Sequence, residues 1–457
     1  MLEARPCVAG LRRNTRSDCR RAATHSAPSQ IAALPHCHIV TLPYYLRVAM
    51  FNISFDNTHN AFAYKSSGEL KRAHFLFSAM HYPWLVKWGT KLTPWAIQSG
   101  LPVKGLVKST IFNQFVGGES LEQTAPVAKK LGEYGVQVIL DYGVEGGHNG
   151  EKGFDEACET FIKVINYAAT QPNIPFMSIK VTGMCRFGLL EKLDHSVDGT
   201  EGTLMKRYTH ALDTLTVEER QEWERVHDRM HRICALASQK GVGVMIDAEE
   251  TWIQDPVDVL TMLMMDQFNK NKAVVYNTLQ LYRHDRLAFL HDSIEAAEKR
   301  NFILGVKLVR GAYMEKERER ATAMGYASPI QPDKESCDLD YNAAVKLTIE
   351  HINMVSVIIA SHNEYSNMLG TQLLQEKGLA LDHPHVHFSQ LYGMSDNISF
   401  NLAKAGCHVS KYLPFGPIKD VVPYLMRRAQ ENSSVAGQTS RELLLIKKEL
   451  SRRKATS

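Results

Sequence analysis

Charged and hydrogen-bonding side chains recur in this sequence wherever a short apolar run ends. Lys180 closes one run, Asp247, Ala248, Glu249 and Glu250 follow another, and Asn277 lies within a third. Lys307 sits in a fourth that continues through Val309 into Arg310, Gly311, Ala312 and Tyr313. Further along come Ser361, His362, Asn363 and Glu364, then Gln390 and Leu391, then Lys411 and Tyr412. Groups of both charge signs around one cavity suit a small zwitterion or a phosphorylated cofactor. Tyr424, Arg427, Arg428 and Glu431 stand at i, i+3, i+4 and i+7, on one stripe of a helix. An Arg fork binds carboxylates and phosphates through paired hydrogen bonds, so two side by side can hold one ligand of each kind.

Each of these groups also has a purely structural reading. Lys180 and Asp247 can pair in a buried interior. His362 can be a hydrogen-bonded core histidine, and Glu249 and Glu250 can be the acidic first turn of a helix. Arg310 can be solvated, and the stripe can be an exposed helix face with an internal Arg428–Glu431 pair.

The elements that would position these groups follow from hydrophobic rhythm. Short β-rich runs occupy residues 136–141, 176–182, 242–248, 273–280, 304–309, 355–361, 386–391 and 408–414. Between them lie amphipathic stretches, such as the one in which Trp223, Val226, Met230, Ile233 and Cys234 return at helical spacing. Strands apolar on both faces that alternate with helices indicate a buried parallel sheet. Eight such units predict an α/β fold, a (β/α)8 TIM-type barrel, with a doubly wound open sheet as the alternative. Barrel enzymes carry their reacting groups at the C-terminal strand ends, which is where the polar residues fall. Residues 50–135 read as an N-terminal helical arm, 136–435 as the barrel and 436–457 as a basic amphipathic helix. That last helix is either packed on its own domain or a contact for a membrane surface.

Of 457 residues, 53 are Lys or Arg and 49 are Asp or Glu, and the excess sits in the first 40, which hold six Arg and two acids. The remainder is neutral and lacks a basic footprint for nucleic acid. Residues 1–49 read as an Arg-rich extension, either a mitochondrial-type transit segment or a stretch that is disordered or not native. Eight Cys form no CxxC pair and no zinc-like spacing, so no metal site is expected. No apolar run reaches the ~18–20 residues of a membrane span. There is no P-loop, complete GxGxxG, GxSxG elbow or HExxH, so a nucleotide cofactor would not be held in the Rossmann manner.

IDAEE (246–250), KLVRGAY (307–313), ASHNE (360–364), FSQLYGM (388–394), KYLPFGP (411–417) and PYLMRRAQENSS (423–434) together resemble the proline dehydrogenase family. SFDNT (54–58), QFVGGE (114–119) and LDYGVEG (140–146) are similar to its monofunctional branch, found in Bacteroidetes-like bacteria with mitochondrial enzymes as relatives, and favour Met50 as the natural start. The resemblance implies a distorted barrel that holds FAD, oxidises L-proline to Δ1-pyrroline-5-carboxylate and passes electrons to a membrane quinone. It places the protein in a bacterial cytoplasm with peripheral membrane association, or in a mitochondrion.

Carried over by position, Arg427 and Arg428 would clamp the proline carboxylate, Lys180 and Asp247 would line the proline site, and Tyr412 and Leu391 would pack on its ring. Asp247 and Lys307 would serve the chemistry. Ala248, Asn277, Lys307, Val309, Gly311, Ala312, Tyr313, Ser361, His362, Asn363, Arg428 and Glu431 would contact FAD. Lys307 stands where many bacterial relatives have Arg, and Asn277 where bifunctional relatives have Gln. Tyr412 favours proline over hydroxyproline, since the hydroxyproline-oxidising branch is expected to have a smaller residue there. Outside the resemblance, the residues also fit a Schiff-base lyase using Lys180 or Lys307, a metal-dependent hydrolase using Asp247, His362 and Glu249, or a barrel retained for binding.

Overall fold

The computed structural model describes residues 53–99, 103–143, 150–197, 203–434 and 438–456; the Arg-rich extension and the Met50 start lie outside them. The described residues open with a helical stretch: α1 (Thr58–Ala61), α2 (Ser67–Met80), α3 (Pro83–Gln98), α4 (Lys104–Val107), a π turn at Lys108–Phe112, α5 (Asn113–Phe115) and α6 (Leu121–Gly132). A capping box starts α2: Ser66 accepts from the Glu69 amide while the Glu69 carboxylate accepts from the Ser66 amide.

The barrel then runs β1 (Gln137–Tyr142), α7 (Gly150–Ala168), β2 (Phe176–Ile179), α8 (Phe187–Val197), α9 (Leu204–Asp213), α10 (Val217–Lys240) and β3 (Gly243–Ile246). It continues through α11 (Gln254–Phe268), β4 (Val275–Gln280), α12 (Arg286–Arg300), β5 (Leu304–Val309), α13 (Met314–Met324), α14 (Lys334–Glu350) and β6 (Val355–Ala360). The last turns are α15 (Glu364–Glu376), β7 (Val386–Leu391), α16 (Asp396–Lys404) and β8 (Val409–Phe415), followed by α17 (Ile418–Ser434) and α18 (Gln438–Ala455). All eight predicted strands are present, with ends displaced by at most three residues. The largest difference is at β2, where a 3₁₀ turn over Val181–Gly183 replaces the expected last residues.

The strands pair in parallel in sequence order and β1 closes on β8, so the sheet is a closed barrel and has no edge. Register fixes which side chains point inward. Ile139, Met245, Tyr276 and Ile358 form a buried layer inside, with Phe176 and Tyr412 packed on it. At Gly243 a Cβ would lie 2.3 Å from the Phe176 ring, so the missing side chain makes room for Phe176 to stand edge-on to Tyr276.

A second apolar core lies apart from the barrel. Phe62, Phe77, Phe112 and Phe115 of the helical stretch pack with Leu425 of α17 and Leu445 of α18. α18 spends its basic residues locally: Arg441 pairs with Glu364 and Asp56, Arg452 and Arg453 pair with Glu449, and Arg453 donates to the carbonyls of Phe62 and Lys65. Among the described residues no helix is long and apolar enough to cross a membrane.

Candidate active site

Strand alternation carries one polar layer above the buried aromatic layer, at the C-terminal mouth of the barrel. Asp141, Ser178, Lys180, Asp247, Thr278, Lys307 and Tyr412 lie on inward positions of β1, β2, β4, β5 and β8 or just past the ends of β2 and β3. Lys307 and Asp247 form an ion pair across the mouth. The Tyr412 hydroxyl donates to the other oxygen of Asp247 at 2.6 Å, and the Lys307 ammonium lies 5.5 Å from the Tyr412 ring centroid. The Lys180 ammonium is 3.8 Å from Asp141. Two lysines and two aspartates thus make a neutral, mostly buried set.

Electrostatics at this set follow from burial and partners. Burial opposes the charge on Asp247, but Lys307 and Lys180 outweigh it and hold the carboxyl below its ordinary range. Burial, then the charges of Asp141 and Asp247, push the Tyr412 phenol well above its usual value, so it stays a protonated donor.

The rim over β5 and β6 is cross-braced. Arg310 donates to Asp338 at 2.7 Å and to Ser361 at 2.6 Å, and its guanidinium lies 4.2 Å from the Tyr341 ring centroid. It is a tie between strand ends, not a solvated side chain. Asn363 caps α15, its side chain accepting from the Ser366 amide at 3.1 Å. His362 meets the Ser395 hydroxyl at 2.8 Å; burial, then the positive charges of Lys411, Arg428 and Arg310, bring its pKa down to about 3, so the ring is neutral. Gly311 has φ +135°, and a Cβ there would lie 2.5 Å from the Tyr282 ring, so glycine is required by Tyr282.

α17 brings its arginines to this rim. The Arg427 guanidinium lies 5.9 Å from the ring centroid of Tyr313, across on the β5 loop. Arg428 is buried, pairs with Glu431 on the same helix and stacks on Tyr424 at 5.0 Å. The helix-internal pair and the rim placement therefore coexist.

One expected residue is not brought in. Asn277 occupies an outward position of β4, and its amide donates at 2.9 Å to Asp258 of α11, which in turn pairs with Arg286. Above Tyr276, the β4 residues that share the inward face with Lys307 are Thr278, its register partner, and Gln280 two positions on. Both are buried, and Thr278 Oγ1 and Gln280 Oε1 have no hydrogen-bond partner. Lys411 likewise points outward, to Asp396 at 3.0 Å. Asp141, Ser178, Thr278 and Gln280 were missed in the sequence, where the alternation of each strand, counted from Lys307 or Tyr412, would have found them. A cavity of about 890 Å³ opens beyond β2 and β3, lined by Thr182, Cys185, Glu222, Arg225, Glu249 and Glu250 among others. Glu249 holds Thr182 at 2.8 Å and Glu250 pairs with Lys316, so these carboxylates face away from the Asp247 set.

A family model described as proline dehydrogenase matches residues 124–441. Among curated proteins, proline dehydrogenase 1, mitochondrial, of Dictyostelium discoideum is 32% identical over 87% of this chain and 74% of its own length. Hydroxyproline dehydrogenase of Xenopus laevis is 31% identical over 86% of this chain and 88% of its own. Among solved structures, proline utilization A (PutA) from Bdellovibrio bacteriovorus, inactivated by N-propargylglycine, superposes with a TM-score of 0.64 at 20% identity. The match covers 82% of this chain, which spans about two-fifths (41%) of that protein.

Proposed function

The chain belongs to the proline dehydrogenase family, and from that premise we propose that it oxidises L-proline to Δ1-pyrroline-5-carboxylate with FAD, delivering the electrons to a membrane quinone. The observation that carries the reading is the neutral Asp141–Lys180–Asp247–Lys307 set below a helix that presents Arg427 and Arg428. An imino acid is itself a zwitterion and fits between them, its carboxylate toward the arginines and its ring toward Tyr412 and Leu391.

The residues present fit a flavin. The buried Thr278 Oγ1 and Gln280 Oε1, with no partner, suit the polar edge of a heteroaromatic ring. Ala248, Lys307, Val309, Gly311, Ala312, Tyr313, Ser361, His362 and Asn363 would hold it with Arg428 and Glu431. In this reading Gln280 takes the role expected of Asn277, whose amide is committed to Asp258 in the helix layer. When bound, the flavin supplies the hydride acceptor.

The protein's own task is orientation and proton control. The Arg427–Arg428 clamp holds the carboxylate so that the ring carbon on the far side of the nitrogen faces the acceptor. The substrate nitrogen gives up a proton as that carbon gives up its hydride, leaving a C=N bond. Asp247, kept ionised by Lys307 and Lys180, tunes when the nitrogen is neutral, with no need for a strong base. Both candidate lyase amines are engaged with carboxylates, Lys180 with Asp141 and Lys307 with Asp247, which favours the dehydrogenase over the Schiff-base reading.

A membrane acceptor puts the working protein at a bacterial or mitochondrial membrane face, and the relatives named as mitochondrial support the latter. The test is proline-dependent reduction of a water-soluble dye by flavin-loaded protein. Arg427→Met should raise KM for proline and lower kcat/KM roughly 10- to 100-fold with flavin still bound, since a charge-assisted bond is lost. Unchanged kinetics would remove the clamp.

A further inference from the structure

The helical stretch before the barrel carries a surface that the catalytic reading does not use. Between Glu69 and Glu119 there is no acidic residue, while Lys71, Arg72, Lys87, Lys91, Lys104 and Lys108 all fall there. Three of the five Trp, at 84, 88 and 95, lie within 12 residues of this segment. Of these cations, Lys108 pairs with Glu119, and the described residues offer Lys87 and Lys91 no carboxylate.

Large apolar side chains stand in water on the same segment. Trp84 is 64% exposed, Trp88 60% and Leu92 51%, with Tyr82, Leu85 and Leu106 exposed as well. Of the α3 side chains described, only Val86 is buried. Trp84 and Trp88 are four residues apart, and Leu85, Trp88 and Leu92 follow i, i+3, i+7, so they form one helical stripe, with Lys87 and Lys91 running one residue off it. Exposed apolar area on this scale marks an interaction surface. α3 also packs against α17, the helix that carries Arg427 and Arg428.

We propose that α3 forms a docking face for a bilayer containing anionic phospholipid. Tryptophan and tyrosine with flanking lysines is the composition that settles at headgroup depth, and Lys87 and Lys91, on a helix that carries no acid, complement an anionic surface. A second copy of the chain is a poorer occupant, because a two-fold contact would press the same cations against one another. The assignment rests on the proposal that electrons go to a membrane quinone: docking through α3 sets α17, and the mouth beneath it, beside the lipid phase where such an acceptor dissolves. It moves the expected membrane contact from α18, whose arginines are paired within the fold, to α3.

The experiment uses full-length, flavin-loaded protein sedimented with phosphatidylcholine vesicles with or without phosphatidylglycerol. The chain should pellet with the anionic vesicles and be released by salt. Lys87→Glu/Lys91→Glu and, separately, Trp84→Ser/Trp88→Ser should each weaken binding by at least roughly tenfold while leaving proline-dependent reduction of the soluble dye unchanged. Failure of the unaltered chain to bind, or binding by either variant as tight as that of the unaltered chain, overturns the proposal. So does a solution dimer that the Trp variant converts to a monomer without any vesicle binding. Protein that binds vesicles but does not reduce the dye with proline overturns the functional reading and leaves the surface standing; the opposite result overturns the surface alone.

Discussion

Asp247 shows how much of the site is fixed by one carboxylate with two partners. Lys307 neutralises it and the Tyr412 hydroxyl donates to its second oxygen, so the phenol ring is held over the mouth. Tyr412→Ser removes both that bond and the ring. The expected outcome is a lower kcat/KM for L-proline and a preference for trans-4-hydroxy-L-proline over proline that rises roughly tenfold, measured as the ratio of kcat/KM values. A ratio that does not move would show that the ring sets no limit on substrate size. The chemistry-bearing residue types were legible in the sequence because polar groups are conspicuous at the ends of apolar runs. Which of them face the cavity was less legible. Asn277 and Lys411 sit on strands as polar as their neighbours, yet they point to Asp258 and Asp396 in the helix layer. A shift of one residue along a strand exchanges cavity for helix layer, and only register fixes which applies.

α18 shows what an element contributes that its own pattern does not reveal. Its composition suggested a basic amphipathic surface, but its buried face carries Glu442, whose carboxylate accepts from the Ser395 amide. Ser395 holds φ +50° and its hydroxyl meets His362, so the last helix reaches the rim of the mouth through two residues. Burial, then the Asp396 charge, push Glu442 up to about 7 from 4.5. The folded state therefore binds this proton more tightly than the unfolded chain. The associated stability is full below about 4.5 and is lost as pH rises through about 7. Glu442→Gln cannot ionise and should escape that loss, so its urea midpoint should gain on the parent as pH rises through this window. Parallel midpoints across the window would assign the carboxyl no such role. No sequence pattern announces this contact, because a Glu on a basic helix reads as one more solvated charge.

At the scale of the molecule, the barrel was legible because eight apolar runs at regular spacing admit few other arrangements. The second core was not, because it joins segments more than 300 residues apart, which periodicity does not register. Phe77 is buried there, edge-on to Phe115 with ring centroids 6.2 Å apart. Phe77→Ala should cost about 3–5 kcal/mol of stability by urea unfolding. Because α17 leans on the same cluster, it should also raise KM for proline although Phe77 belongs to the arm. A destabilised variant with unaltered KM would separate the arm from the site. This core has a consequence for how the protein is made. α2 leaves the ribosome before the barrel, and α18, which finishes its packing, leaves after it. Throughout synthesis of the barrel the nascent chain therefore displays unfinished aromatic surface, and a message cut short before α18 would yield a protein that never covers it, a natural client for chaperones and proteases.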